Sequence, residues 1–210
     1  MTRLGRIDLR RLGRIDLRRL GRIDLPRLGS ELEQHAQCQP ERSAVAAQLR
    51  ELLEQPGDVF SRAHLDPGHF TASAFVLCPE RRRLLLIRHP KLGRWLQPGG
   101  HIELEDSSCQ AAAAREVREE TGVAELQLLQ PGIFDVDVHR IPATPKEGAH
   151  AHFDVRYAFT ATSDELRASK EVKAARWVEL AAVASLNAEE SIARCVRALI
   201  SPLFSGLGPR

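Results

Sequence analysis

No apolar run in this 210-residue chain approaches the length of a membrane span, so a helical membrane protein is not expected. No continuous apolar stretch follows the Arg-rich N-terminus, so no secretory leader is expected either. The four cysteines, Cys38, Cys78, Cys109 and Cys195, form no C-x-x-C pair, and neither a disulfide framework nor a zinc site follows from them. A reducing cytoplasm is the default location. Glutamate is missing from residues 1–30, which hold nine Arg and three Asp. The net charge of +2 therefore divides into +6 on that stretch and −4 on the remainder. The basic character belongs to the N-terminal arm, and the body gives no reason to expect a nucleic-acid partner. What is present is an ordinary globular balance, 43% apolar and 28% charged.

The first 29 residues repeat an octad, Arg-Leu-Gly-Arg-Ile-Asp-Leu-Arg, from Arg3, Arg11 and Arg19, with a partial copy from Arg27. Eight-residue units are too short for a solenoid, and a Gly in each costs a helix about 1 kcal/mol relative to Ala. Near-identity between units points to a recent duplication or a misassigned start rather than a packed element. We therefore divide the chain into a tail at 1–29, a helical extension at 30–66, a main domain at 67–203 and a short tail at 204–210.

Periodicity predicts an amphipathic helix over Ser43–Gln55, with Val45, Leu49, Leu52 and Leu53 on one face. Thr71–Leu77 and Arg83–Ile87 read as a strand hairpin across Pro79-Glu80. After the Pro98-Gly99-Gly100 loop comes a helix over 107–121, capped by Ser107 or Ser108 and stopped by Gly122. Strands are expected at Gln127–Leu129, Ile133–His139, Phe153–Ala161 and Arg176–Val178. A last helix, capped by Asn187, presents Ile192, Val196, Leu199 and Ile200 on one face. Strands around one internal helix, flanked by further helices, give an α/β or α+β sandwich.

The segment with chemical content runs from Gly99 to Val123. Helical spacing puts Glu116, Glu119 and Glu120 on one face. Three crowded carboxylates disfavour a helix unless a hard cation joins them, and Mg²⁺ takes such oxygens together with water and phosphate. Arg115 stands beside Glu116 to orient it or offset the repulsion, and the alanines at 111–114 let the helix lie close to a sheet.

These residues resemble the Nudix signature G-x5-E-x7-R-E-U-x-E-E-x-G-U, where U is a bulky aliphatic residue. Arg115 to Val123 matches every specified position. Counting from Gly100, Asp106 replaces the expected Glu, Glu105 replaces a common Gly, and eight residues instead of seven precede Arg115. The likeness extends over roughly Gly68 to Leu180, including Trp95-Leu96-Gln97-Pro98-Gly99-Gly100-His101 before the box and Glu171 to Val178 after it. It implies a Nudix-type α/β/α sandwich with a mixed sheet and a catalytic loop-helix-loop. It further implies Mg²⁺ or Mn²⁺ and hydrolysis of a diphosphate linkage in a small nucleotide-like molecule.

On this reading Glu116, Glu119 and Glu120 are metal ligands, the Gly100 carbonyl is a further one by resemblance, and Arg115, Glu119 and Glu120 serve catalysis. For the general base Glu171 is the first candidate and Glu103 the second; either is equally well read as a solvated surface residue. His69, His89, His101, His139, His150 and His152 fall near strand ends or the Gly loop, and His152, Asp154 and Arg156 share a strand face at period two. His139 and His152 are the histidines assigned to substrate, with Arg88 and Arg94 as phosphate contacts; the alternative is hydrogen-bonded rim residues. Trp95 and Trp177 are assigned to packing. A homodimer is left open. Two other readings stay in view: an isopentenyl-diphosphate-isomerase-like enzyme, against which stands the lack of a Cys beside a His, and a non-catalytic nucleotide sensor, against which stand the three intact glutamates.

Overall fold

The computed structural model describes residues 23–145, 147–167, 169–170, 172–186 and 189–201. Helix α1 (Leu25–Cys38) begins where the Asp24 side chain accepts a hydrogen bond from the Arg27 N–H at 3.0 Å, with Pro26 in its first turn. It buries Leu28, Leu32 and His35, one helical face. The division drawn at residue 29 from the octad repeat thus falls inside this helix: Ile23 and Leu28 of the last repeats are core residues. Helix α2 (Ser43–Leu53) follows a 3-10 turn at Pro40–Arg42 and buries Ala46, Leu49 and Leu52.

The strands are β1 (Gly68–Leu77), β2 (Arg83–Arg88), β3 (Trp95–Leu96) and β4 (Gly99–His101), then helix α3 (Cys109–Thr121). After it come β5 (Leu126–Leu128), β6 (Asp135–Ile141), β7 (His150–Ala161), β8 (Ala175–Glu179) and helix α4 (Glu190–Leu199). β1 and β7 pair in parallel along their whole length at the centre of the sheet. β2 and β4 join the other edge of β1, β5 and β6 join β7, and β3 and β8 join β2, all antiparallel. The sheet is mixed, and the expected strands are all present with ends shifted by a few residues. β3 and β4 are additions, too short to announce themselves inside a Gly/Pro-rich loop.

Strand alternation sends the two sides of β1 to different layers. Phe70, Ala72, Ala74 and Val76 join Val155, Tyr157 and Phe159 in a core completed by α1, α2 and α3. Phe75 and Leu77 pack with Leu84, Leu86, Phe134 and Ala158 under Ile192, Val196 and Leu199 of α4. This is a three-layer α+β sandwich. Ile200, expected on the apolar face of α4, is exposed because the helix ends at Leu199. The expected Asn187 cap lies outside the described residues.

On the α4 side the sheet turns polar beyond Phe75. Register there produces three rows across β1, β7 and β6: Ser73–Arg156–Asp135, Thr71–Asp154–Asp137 and His69–His152–His139.

Candidate active site

Helix α3 starts where the Ser108 hydroxyl accepts the Ala111 N–H at 3.0 Å, and ends at Gly122, whose left-handed φ of 73° suits glycine. Cys109, Ala112, Ala113 and Val117 bury its inner face. That docking aims Glu116 and Glu120 toward the Gly99–Gly100 strand, while Glu119, on the same helical face, is exposed and meets Arg115. A Cβ placed on Gly100 would lie 2.5 Å from Glu116 Oε1, so a larger residue there would push that carboxylate out of its present position. The Gly99 N–H donates to Glu120 Oε2 at 3.1 Å, and Glu120 is buried.

Arg115 organises the rest. It donates from Nη1 to Glu116 Oε1 (3.0 Å) and Glu119 Oε2 (2.7 Å), and from Nη2 to the His101 carbonyl (2.9 Å). Its Nε and Nη2 grip both oxygens of Asp106 at 3.1 and 3.0 Å. Burial works against this charge, but the Asp106 hydrogen bonds and the fields of Glu116 and Glu119 outweigh it and raise the guanidinium pKa. Asp106 also accepts the Glu103 N–H at 2.8 Å, closing the loop that leads into the helix. Oxygen donors of this kind, gathered on one helical face over a glycine cradle, fit a hard divalent cation.

The histidines converge more closely than their spacing in the chain foretold. Around His69 stand His152, His150 and His101, with ring centroids 4.9, 5.0 and 5.1 Å away. The His139 ring stands edge-on to that of His152, with centroids 5.3 Å apart, and is exposed. Among the described residues, the one group of three ligand atoms within 4.8 Å of one another is His69, His101 and His152. Burial, then the charge of His139, lowers the His152 pKa to about 3. Burial, then the Arg62 guanidinium, lowers that of His101 to about 4, and burial lowers His69 against the pull of its own hydrogen bond.

The other expected residues fall elsewhere. Arg88 ends β2, exposed, opposite Trp95. Arg94 pairs with Glu189 at 3.0 Å on the surface. The Trp95 ring is half-buried and lies 4.0 Å beneath the Arg176 guanidinium, and Trp177 donates to the Asp164 carbonyl at 2.8 Å. Glu103 is exposed, and Glu171 lies outside the described residues. Beside the histidines runs a buried charge network that the period-two pattern marked only in part. Arg156 donates to Asp154 (2.8 Å), Asp137 (2.9 Å) and Asp135 (3.1 Å), while Thr71 and Ser73 hydroxyls donate to Asp154.

A NUDIX domain profile matches residues 67–199. A probable DHNTP pyrophosphohydrolase of Lactococcus lactis subsp. cremoris is 35% identical over 99 residues, covering 46% of this chain and 57% of that protein. A MutT-like protein of Streptomyces ambofaciens is 39% identical over 71 residues, covering 34% and 43%. The chain spans about half the length of these curated relatives. A NUDIX-family hydrolase from Clostridium perfringens, known from its crystal structure, is 26% identical with a TM-score of 0.46, covering 62% of this chain and 97% of that one.

Proposed function

Since this chain belongs to the NUDIX domain family, we propose that it hydrolyses a phosphorus-containing anhydride, the diphosphate linkage of a nucleoside diphosphate derivative or a similar small molecule. The observation that carries this reading is the Arg115-tied carboxylate cluster against the Gly99–Gly100 backbone. Glu116, Glu119, Glu120 and the Gly100 carbonyl would hold Mg²⁺ or Mn²⁺. Bound there, the cation neutralises phosphate charge and lowers the pKa of a bound water.

The remaining work falls to the chain itself. Asp106 fixes Arg115, and the Arg115 guanidinium, bonded to both carboxylates, offsets the repulsion between Glu116 and Glu119. The Gly99 N–H holds Glu120 in one orientation. Glu171 is the proposed acceptor of the water's proton, with Glu103 as the second choice. His139 and His152 contact the substrate, and Arg88 and Arg94 meet its phosphates, Arg94 after leaving Glu189. The name of the Lactococcus relative, a pyrophosphohydrolase, supports release of pyrophosphate or a nucleotide monophosphate. Among the described residues no helix is long and apolar enough to cross a membrane, which is compatible with the cytoplasmic location proposed here.

The test is a panel of nucleoside diphosphate derivatives and nucleoside triphosphates assayed for released phosphate species, with Mg²⁺ and with chelator. Turnover that needs the cation and falls by roughly 100-fold or more in Glu120→Gln is expected, because a lost ligand removes transition-state charge stabilisation worth several kcal/mol. A Glu120→Gln protein working at the parent rate would overturn the assignment.

A further inference from the structure

We propose that His69, His101 and His152 form a binding site for a borderline transition-metal ion such as Zn²⁺, Co²⁺ or Fe²⁺, separate from the carboxylate cluster of α3. The proposal rests on the histidine geometry alone and meets the hydrolase reading only at His152, which that reading places against the substrate.

The backbone builds the site before any ion arrives. Parallel pairing sets His69 of β1 directly opposite His152 of β7. Pairing of β4 with β1 sets His101 opposite Thr71, two residues along the same face. Their ligand atoms already lie within 4.8 Å of one another. A tetrahedral site with metal–nitrogen bonds of about 2.0–2.1 Å spaces its donors roughly 3.3 Å apart, so rotations that move each ring by an ångström or so close it. All three residues sit on the central sheet or on a strand bonded to it.

Proton positions point the same way. The His69 Nδ1–H donates to the His64 carbonyl at 3.1 Å, which leaves Nε2 as a bare lone pair. That Nε2 is buried and has no hydrogen-bond partner, in a residue of 0% exposure. A buried acceptor left so carries a desolvation penalty that a cation removes. A ring nitrogen bonded to a backbone carbonyl, with the other nitrogen free, is the arrangement that orients metal-binding histidines. His150 shares only the first half of it: its Nδ1–H donates to the Gly148 carbonyl at 2.8 Å, while its Nε2 accepts the His152 Nε2–H at 3.2 Å, which leaves Nδ1 as the ligating lone pair of His152.

Donor chemistry separates the two sites. Imidazole nitrogens favour zinc, cobalt and iron, while carboxylates favour magnesium. Three protein nitrogens also leave a position open for water or an anionic oxygen. One contact opposes the ion. Arg62 Nη2 lies 3.3 Å from His101 Nδ1, and ligation through His101 displaces it. Arg62 is exposed and can swing into solvent.

The experiment uses the full chain without an affinity tag, stripped with chelator, saturated with Mg²⁺ and titrated with Co²⁺. Visible d–d absorption and equilibrium dialysis are read together. One equivalent of Co²⁺ with a nitrogen-ligand spectrum is expected in the parent, in Glu119→Gln and in His139→Ala. His152→Ala and the half-buried His101→Gln, each checked for folding by circular dichroism, should bind at least roughly 100-fold more weakly, the upper end of the effect of losing even an outer-shell partner. The proposal is overturned if the folded parent binds no Co²⁺ under these conditions. It is equally overturned if both histidine variants bind as the parent does, or if binding disappears in Glu119→Gln.

Discussion

Asp106 is shorter by one methylene than the glutamate its position resembles, and the segment before Arg115 is longer by one residue. The two departures leave the contact intact: Arg115 still meets both Asp106 oxygens within 3.1 Å. Because Asp106 also accepts the Glu103 N–H, the same carboxylate sets the loop and the arginine. Asp106→Ala should therefore lower turnover by tenfold or more and cost about 1–3 kcal/mol of stability, the usual range for an unpartnered group at a partly buried site. Steady-state kinetics and denaturant unfolding on one preparation check this, and parent-like values of both would refute it. The Glu triad was legible because it depends only on helical spacing. The convergence on His69 was not, since His69 and His152 are neighbours only through a parallel register that no local pattern reveals. His101 was visible as part of the Gly loop, but β4, which carries it, has three residues and no periodicity of its own.

Among the elements, α3 was the most legible and α1 the least. Ser108, the apolar face and Gly122 mark both ends of α3 by local chemistry. In α1 the octad repeat hid the signal: Asp24 and Pro26 are a sound helix start, yet they sit in a stretch whose near-identity spoke for duplication. A chain starting at Ile23 keeps the cap and the buried side chains. A chain starting at Ser30 loses Ile23 and Leu28, each worth about 1.5–3 kcal/mol when buried, and the Asp24 cap. The first should melt like the full chain, and the second roughly 10 °C lower, at 2–4 °C per kcal/mol. Equal melting of both would mean that α1 is not anchored by those residues. The same helix buries His35, whose pKa burial lowers from 6.5 despite the attraction of Asp135. The unfolded chain then takes up this proton first as pH falls below about 6.5, so stability is full above that pH and declines beneath it. His35→Leu should flatten the decline in melting temperature between pH 7 and pH 5; an unchanged slope would remove His35 from the account. His69, His101 and His152 share the direction, so the slope should shrink without vanishing.

At the scale of the whole molecule, the layers on both faces of the sheet meet through one buried set of charges. Arg156, 2% exposed at the centre of β7, bonds Asp154 on its own strand and Asp135 and Asp137 on β6. Arg194 of α4 reaches Asp135 at 2.8 Å from one layer, and Arg42, at the start of α2, reaches Asp137 at 3.3 Å from another. Burial alone would raise the Asp154 pKa, but Arg156 reverses the shift and holds it low, so the pair is stable above the carboxylate range and weakens as acid protonates it. Arg156→Met keeps the volume and removes the charge. It should cost about 3–5 kcal/mol near neutral pH, because Asp154 stays buried with two hydroxyl donors and no cation. Asp135 retains Arg194, so adding Asp154→Asn to Arg156→Met should recover a large part of the loss. Acid should do the same by a different route. With the arginine gone, burial raises the Asp154 pKa above its unfolded value, and the variant gains relative to the parent as pH falls toward about 4. Urea unfolding of parent, single and double variants at pH 7 and pH 4.5 distinguishes these outcomes. A single variant within about 1 kcal/mol of the parent at pH 7, or a gap that widens in acid, would mean that packing rather than this charge network joins the layers.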